Sequence, residues 1–280
     1  MWRRAAALLT TLVLGAACVP GDNARAPGPD LRRVVTLGPS FTEIAWLLGA
    51  GDRLVGRSRW DRTPEGVVAV AEVGDAIRPS LERIVGARPD LVVLYAAADN
   101  APAVDALSRA GISVLSLRVD RIADYLQALD TLGTLLGARP RADSIRKELE
   151  GSLDAVRRLP PPVRRPTVFV PVWMEPPMTV GAGSFVSELL DLAGAANAYR
   201  DRAEPSFTVA FEDVLRRDAD LVLASPAAQT RLRESPPWGT LRAVREGRWL
   251  TLDTLTMSQP SRRMGEAAAA LAAEVRRLVP

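Results

Sequence analysis

From Arg32 onward, short apolar runs alternate with longer segments in which apolar positions recur every three or four residues. The runs RRVVTLG from Arg32, Leu54 to Gly56, Leu91 to Tyr95 and Ser113 to Leu117 are short and almost uniformly apolar, so they read as buried strands. Pro39 to Leu48 reads as a helix closed by Gly49 and Gly51, and Pro102 to Ala110 as one stopped by Gly111. The pattern then changes. Leu126, Leu129, Leu132 and Leu136 form one helical stripe within Ile122 to Gly137, and Ile145, Leu149, Leu153 and Val156 form another within Arg141 to Leu159. No strand separates the two, and the second stops at PPPVRRP, Pro160 to Pro166. Alternation resumes with Thr167 to Val172, a helix from Phe185 to Ala193 ending at Gly194, and a strand at Arg248 to Leu252. The pattern predicts an α/β fold of two Rossmann-like lobes with parallel sheets, joined by a long rigid helix, with a ligand cleft between the lobes. The expected boundaries are 32–120 for the first lobe, 121–160 for the helical connector and 161–280 for the second lobe. A helical connector permits only modest opening and closing.

One element occurs twice. SLERIVGARPDLVVL, from Ser80, and AFEDVLRRDADLVLA, from Ala210, each place a glutamate in the first turn of a short helix that leads through basic residues and an Asp into a Leu-Val strand. Glu82 and Glu212 are the two acids. A carboxylate there is favoured by the unpaired N–H groups of the helix start, an effect of about 0.3 to 1 kcal/mol.

The N-terminus, MWRRAAALLTTLVLGAACVP, has a basic start at Arg3 and Arg4, an apolar stretch from Ala5 to Ala17, and small residues before Cys18. The apolar stretch falls short of the roughly 20 residues that span a bilayer and reads as a cleaved export signal. Cys18 is the only cysteine of the chain, and LGAAC resembles a lipobox with Gly15 where Leu is most usual. Residues 1–18 are therefore expected to be a lipoprotein signal ending at a lipidated Cys18, with a buried Cys after a plain signal as the alternative. Residues 19–31 are expected to be a Pro- and Gly-rich tether. Acyl chains on Cys18 would hold the protein on a membrane surface, facing the periplasm or cell exterior.

Composition narrows the chemistry. The chain of 280 residues is 48% hydrophobic and 25% charged, and it contains no histidine. Ser-His-Asp or Cys-His catalysis and His-rich metal sites cannot be built. Loss of the signal lowers the net charge from +3 to +1, which leaves no electrostatic footprint for nucleic acid.

VVTLGPSFTEIAWLLGAGDRLVGRSRW, PSLERIVGARPDLVVLY, PMTVGAGSFVSELLDLAGAANAY and FEDVLRRDADLVLAS resemble, in order, the blocks of the helical-backbone substrate-binding proteins of ABC importers. That class carries cobalamin, haem and ferric siderophores. The resemblance implies that Glu82 and Glu212 dock the two lobes onto arginine pockets of a permease dimer with its ATPase subunits. It also implies a monomer that binds a small-molecule cobalt or iron chelate, has no cofactor or protein-bound metal of its own, touches the membrane only through its anchor, and is not an enzyme.

Ligands of two-lobed α/β proteins lie at the C-terminal ends of strands. The candidates are Trp60, Arg78 and Tyr95 on the first lobe, and Trp173, Phe207 and a loop at Met257 and Ser258 on the second. Aromatic residues make up only 5% of the chain, so their gathering at strand ends suits a large flat ligand. Trp60 and Tyr95 align by resemblance with aromatic ligand contacts in cobalamin carriers, whereas Ala76 stands where such carriers offer a Trp. Arg262 and Arg263 join Arg78 as candidate partners for ligand acids, and Tyr95 is the candidate axial ligand for haem. Trp46, Trp238 and Trp249 read as core. Cobalamin or a related corrinoid ranks first, then a ferric siderophore, then haem. An exported hydrolase using Glu43 or Asp61 is the alternative of another class.

Overall fold

The computed structural model describes residues 31–279. The signal segment, Cys18 and all of the tether except Leu31 lie outside the described residues.

The first lobe runs β1 (Val34–Leu37), α1 (Pro39–Leu47), β2 (Leu54–Arg57), α2 (Leu81–Gly86), β3 (Leu91–Tyr95), α3 (Ala101–Arg109) and β4 (Ser113–Leu117). Its four strands are parallel in the order β2-β1-β3-β4. The central strands β1 and β3 are covered on both sides, which is why they carry continuous apolar runs rather than an alternating pattern.

Two helices follow, α4 (Ile122–Leu135) and α5 (Arg139–Arg157). At about 1.5 Å per residue α5 is roughly 28 Å long, and it packs against α4 before the chain passes into the second lobe. That lobe contains β5 (Thr167–Phe169), β6 (Pro171–Met174), β7 (Pro177–Val180), α6 (Phe185–Leu192), β8 (Ala196–Asn197), β9 (Ser206–Thr208), α7 (Phe211–Arg217), β10 (Leu221–Leu223), α8 (Pro226–Glu234), α9 (Arg242–Arg245), β11 (Trp249–Leu250), α10 (Thr254–Ser258) and α11 (Met264–Leu278). Its main sheet is parallel, in the order β11-β10-β5-β8.

Two expectations need correction. The single strand expected from Thr167 to Val172 is two strands. β6 leaves the parallel sheet and pairs antiparallel with β7, which in turn pairs with β9. A two-residue turn at Glu175 and Pro176 joins β6 to β7. Three prolines in PVWMEPPMTV disguise the hairpin, because proline cannot donate to a ladder; Pro171 and Pro177 occupy strand starts and Pro176 the turn. Met257 and Ser258 lie in helix α10 rather than in a loop, because the Asp253 carboxylate accepts from the Thr256 N–H at 2.9 Å and caps a turn of helix.

One apolar cluster runs through both lobes, from Val34 and Ile44 through Leu129, Leu149 and Leu153 to Leu189, Leu221 and Leu271. α11 packs against α5 and α6, and the approach is close: a Cβ on Gly265 would lie 2.5 Å from that of Ser152. Smaller clusters fill the outer faces of each lobe.

Candidate functional site

On the first lobe the candidate side chains stand at or just beyond the C-terminal ends of β2 and β3. After β2 the chain turns through Ser58 to Asp61, and Asp61 holds this turn from inside. It has no solvent exposure, and its Oδ2 accepts from Thr42 Oγ1 at 2.6 Å and from the Ser58 N–H at 2.9 Å. Thr42 in turn lies 2.7 Å from Thr36 on β1, while Oδ1 of Asp61 is buried without a partner. Burial raises the Asp61 carboxyl to about 6, more than the bonds from Thr42 and Ser58 lower it.

The turn pinned in this way projects Trp60 outward, with 59% of its surface exposed. Its neighbour Arg59 pairs at 2.9 Å with Asp75, whose carboxylate also accepts the N–H groups of Ile77 and Arg78 at 2.9 and 2.8 Å. Burial alone would raise the Asp75 carboxyl, but these donors outweigh it and hold it below the usual range. Trp60 and the exposed Arg78 therefore stand on two loops joined through one acid.

Tyr95 closes β3 half-buried, and its hydroxyl donates to Asp120 at 2.7 Å. Arg118 clasps the same carboxylate at 2.9 and 2.7 Å, and the Asp120 carbonyl accepts the N–H of Phe185 from the second lobe at 2.6 Å. Burial and the Asp120 carboxylate push the Tyr95 phenol up to about 12. The adjoining start of α4 is held from across the lobes, because Glu188 on α6 accepts from the Ile122 N–H and from Arg121, each at 2.8 Å.

On the second lobe, Trp173, Met257 and Ser258 line one hollow of about 160 Å3, with Val170, Met174, Ser225, Arg231 and Thr254. Val170 follows β5, Ser225 follows β10 and Thr254 lies just after β11, so the hollow sits at the C-terminal edge of that sheet. Trp173 lies within β6 rather than after a strand, is 61% exposed, and donates its indole N–H to the Glu175 carbonyl at 2.8 Å. Phe207 does not join this set. Its ring meets Tyr199 edge-on at 5.5 Å and carries the Arg202 guanidinium 4.3 Å above it.

Arg262 and Arg263 line a separate hollow of about 240 Å3 against Glu43 and Trp46 of α1. There Glu43 accepts from the Tyr125 hydroxyl at 3.0 Å and the Arg262 N–H at 3.3 Å, and burial raises its carboxyl despite those bonds. Glu43 and Asp61 are thus both enclosed acids of the first lobe. A roomier groove of about 730 Å3 lies between the start of α4, Pro160 to Pro162 and α6, away from the strand ends. No group of three His, Cys, Asp or Glu side chains able to hold a metal occurs among the described residues, and no described helix is long and apolar enough to cross a membrane.

Glu82 and Glu212 occupy the first turns of α2 and α7, and both are exposed. Each helix precedes a strand of a parallel sheet, β3 or β10, so both helix starts lie at the end of the molecule that carries the cleft. Among the described residues neither carboxylate forms an ion pair or side-chain hydrogen bond. Exposed Leu81 and Val85 flank the first, and exposed Leu215 the second.

Sequence reading missed Asp75, Asp120, Ser225, Arg231 and Thr254. Ser225 carries a legible signal, a Ser-Pro pair directly after an apolar run, where it caps α8 by accepting the Ala228 N–H at 3.4 Å.

The chain is 26% identical over 252 residues to the uncharacterized ABC transporter substrate-binding lipoprotein YvrC of Bacillus subtilis, covering 87% of this chain and 80% of the relative. It is 29% identical to the vitamin B12-binding protein of Salmonella paratyphi A, covering 87% and 86%. Among solved structures, the apo periplasmic heme-binding protein RhuT of Roseiflexus sp. RS-1 superposes with a TM-score of 0.76 at 22% identity over 90% of this chain and all 100% of that one. The vitamin B12-binding protein BtuF of Vibrio cholerae gives 0.72 at 22% identity over 89% and 98%. The model of the periplasmic binding protein family matches residues 34–255, and the chain belongs to that family.

Proposed function

We propose that the chain is the exported substrate-binding component of an ABC importer, and that it captures a metal chelate, first of all a corrinoid, between its lobes. The observation that carries this reading is the pair of tryptophans, Trp60 in the turn after β2 and Trp173 on β6 beside the hollow of the second lobe, each more than half exposed. Keeping two large apolar side chains in water is unfavourable unless a ligand covers them. The hollow beside Trp173 is too small to enclose a macrocycle, since ligand cavities run to about 300–1,000 Å3. A flat ligand would instead lie across the open cleft against the two indoles.

The Salmonella relative's name supports the choice of a corrinoid. Haem ranks third, because the hydroxyl of Tyr95, the candidate axial ligand, is already engaged with Asp120 at 2.7 Å. A ferric siderophore, which needs no protein ligand to its metal, is the second choice. Delivery would use Glu82 and Glu212, unpaired carboxylates on the cleft-bearing end of each lobe, against a permease dimer driven by its ATPase subunits. The protein would act as a lipid-anchored monomer outside the cytoplasm, held through Cys18, with no cofactor and no catalytic role.

Tryptophan-fluorescence titration of the purified chain against cobalamin, haem and a set of ferric siderophores, corrected for absorbance, tests the reading. Saturable quenching at submicromolar concentration by one of them supports it and identifies the cargo. No response to any would sink it.

A further inference from the structure

Resting on that reading, we infer that the cargo carries an anionic group, a carboxylate or phosphate, and that Arg231 receives it. Three features of the cleft lead there. First, three of its other arginines are already neutralised: Arg59 pairs with Asp75 at 2.9 Å, Arg118 with Asp120 at 2.7 Å, and Arg263 with Glu266 at 3.3 Å, while Arg262 lines a hollow that already contains the Glu43 carboxyl. Arg231 forms no ion pair or side-chain hydrogen bond among the described residues, and Glu234, one turn along α8, does not reach it.

Second, Arg231 lines a hollow in which no residue is acidic. Its neighbours are the aliphatic Val170, Val180 and Val186, the sulfur side chains of Met174 and Met257, and the hydroxyls of Ser225, Thr254 and Ser258. A guanidinium in open water is well solvated, but one at the edge of an apolar wall meets its preferred partner when an oxyanion is carried in beside an apolar body. Third, the geometry of α8 aims it there. Ala228, Arg231 and Leu232 are spaced three and four residues apart, so they share one helix face, and all three line the hollow. Arg78, its counterpart on the first lobe, is also unpaired but lines none of the hollows described above. The hydroxyls of Ser225 and Thr254 complete an oxyanion site, since each can donate to an oxygen that the forked guanidinium leaves free, whereas Ser258 already donates to the Leu255 carbonyl at 3.0 Å.

The test uses the full-length chain in detergent and two matched pairs of probes. Haem and its dimethyl ester differ only in the carboxylates, while cobalamin and cobinamide differ in the phosphodiester-linked nucleotide. Wild-type protein should prefer the acid-bearing member of at least one pair by roughly tenfold to a hundredfold, the range of a charge-assisted hydrogen bond. Arg231→Gln should abolish that preference and Arg231→Lys restore part of it. Arg109→Gln, a charge-matched change of an exposed residue at the end of α3 remote from the cleft, should leave it intact. The pair that responds tells a carboxylate from a phosphate.

Chelate binding without preference in the wild type, or preference retained in Arg231→Gln, overturns the anion site and leaves the importer reading standing. Absence of binding by all four probes overturns the anion site, and it overturns the importer reading as well only where the ferric siderophores of the fluorescence titration also fail to bind.

Discussion

Asp61 is a side chain whose ionisation the fold resists. Because its carboxyl rises from 3.8 to about 6 on folding, mainly through burial, the folded chain between about pH 4 and 6 holds a proton that the unfolded chain has released. Stability must therefore fall as pH climbs through that window, by roughly 2 to 3 kcal/mol in all. Asp61→Asn places an amide where the partnerless Oδ1 lies and keeps an oxygen for Thr42 and Ser58. Denaturant midpoints measured from pH 4 to 7 should show a shallower decline in that variant than in the wild type, and parallel curves would refute the assignment. Trp60→Ala and Trp173→Ala act on ligand instead. Each should weaken chelate binding about two- to tenfold, the worth of one aromatic stack, with an unchanged melting temperature because both rings are already in solvent. An equal loss of melting temperature and affinity would return them to packing. At this scale the sequence disclosed where side chains stand but not whom they meet. Trp60 and Tyr95 are readable as strand-end residues from the runs that precede them, whereas the acids that fix them, Asp75 and Asp120, lie in loops 15 and 25 positions further along. Nothing local to an aspartate says which loop folds back onto it.

Among the elements, α5 and α11 depend on an absent side chain. Gly265 lets α11 lie against Ser152 of α5 where a methyl would overlap its Cβ at 2.5 Å. Gly265→Ala should cost about 1 to 3 kcal/mol, as overpacked core positions do, read as a lowered denaturant midpoint. Ser152→Gly in the same chain should recover part of the loss, and the absence of any recovery would place the strain elsewhere. The long helices and the central strands were legible because their burial is two-sided or striped, and burial writes the period of the element into the chain. β6, β7 and β9 were not. Their pairing is antiparallel at the edge of the lobe, their residues mix prolines with half-exposed side chains, and the turn that pairs β6 with β7 consists of Glu175 and Pro176 rather than a glycine pair.

For the whole molecule, the shared core and the Glu188 carboxylate at the start of α4 tie the two lobes together, so closure over a ligand should be small. The two exposed carboxylates at the cleft end then keep a nearly constant separation that a two-fold partner can recognise. Glu82→Arg combined with Glu212→Arg should abolish chelate uptake by cells while leaving binding by the purified protein unchanged, since truncating one side of such a pair typically costs about 2 to 5 kcal/mol. Uptake that survives both reversals would exclude docking through these acids. The duplication of the Glu-bearing helix was plain in the sequence. Its placement on one end of the molecule was not, because it follows from the direction of both parallel sheets and not from either stretch alone.

That same strand direction settles where the chain enters. Leu31 is held at the opposite pole, its carbonyl sharing Arg53 Nη1 with the carbonyl of Leu136 at 3.3 and 3.2 Å, just before β1 begins. The chain therefore enters the fold at the pole opposite the mouth of the cleft. Under the proposed anchorage at Cys18, handing cargo to a channel in the membrane surface would require the molecule to turn over within the reach of residues 19–30, at most about 40 Å of chain. Shortening this stretch would leave capture untouched and strand the loaded protein upside down.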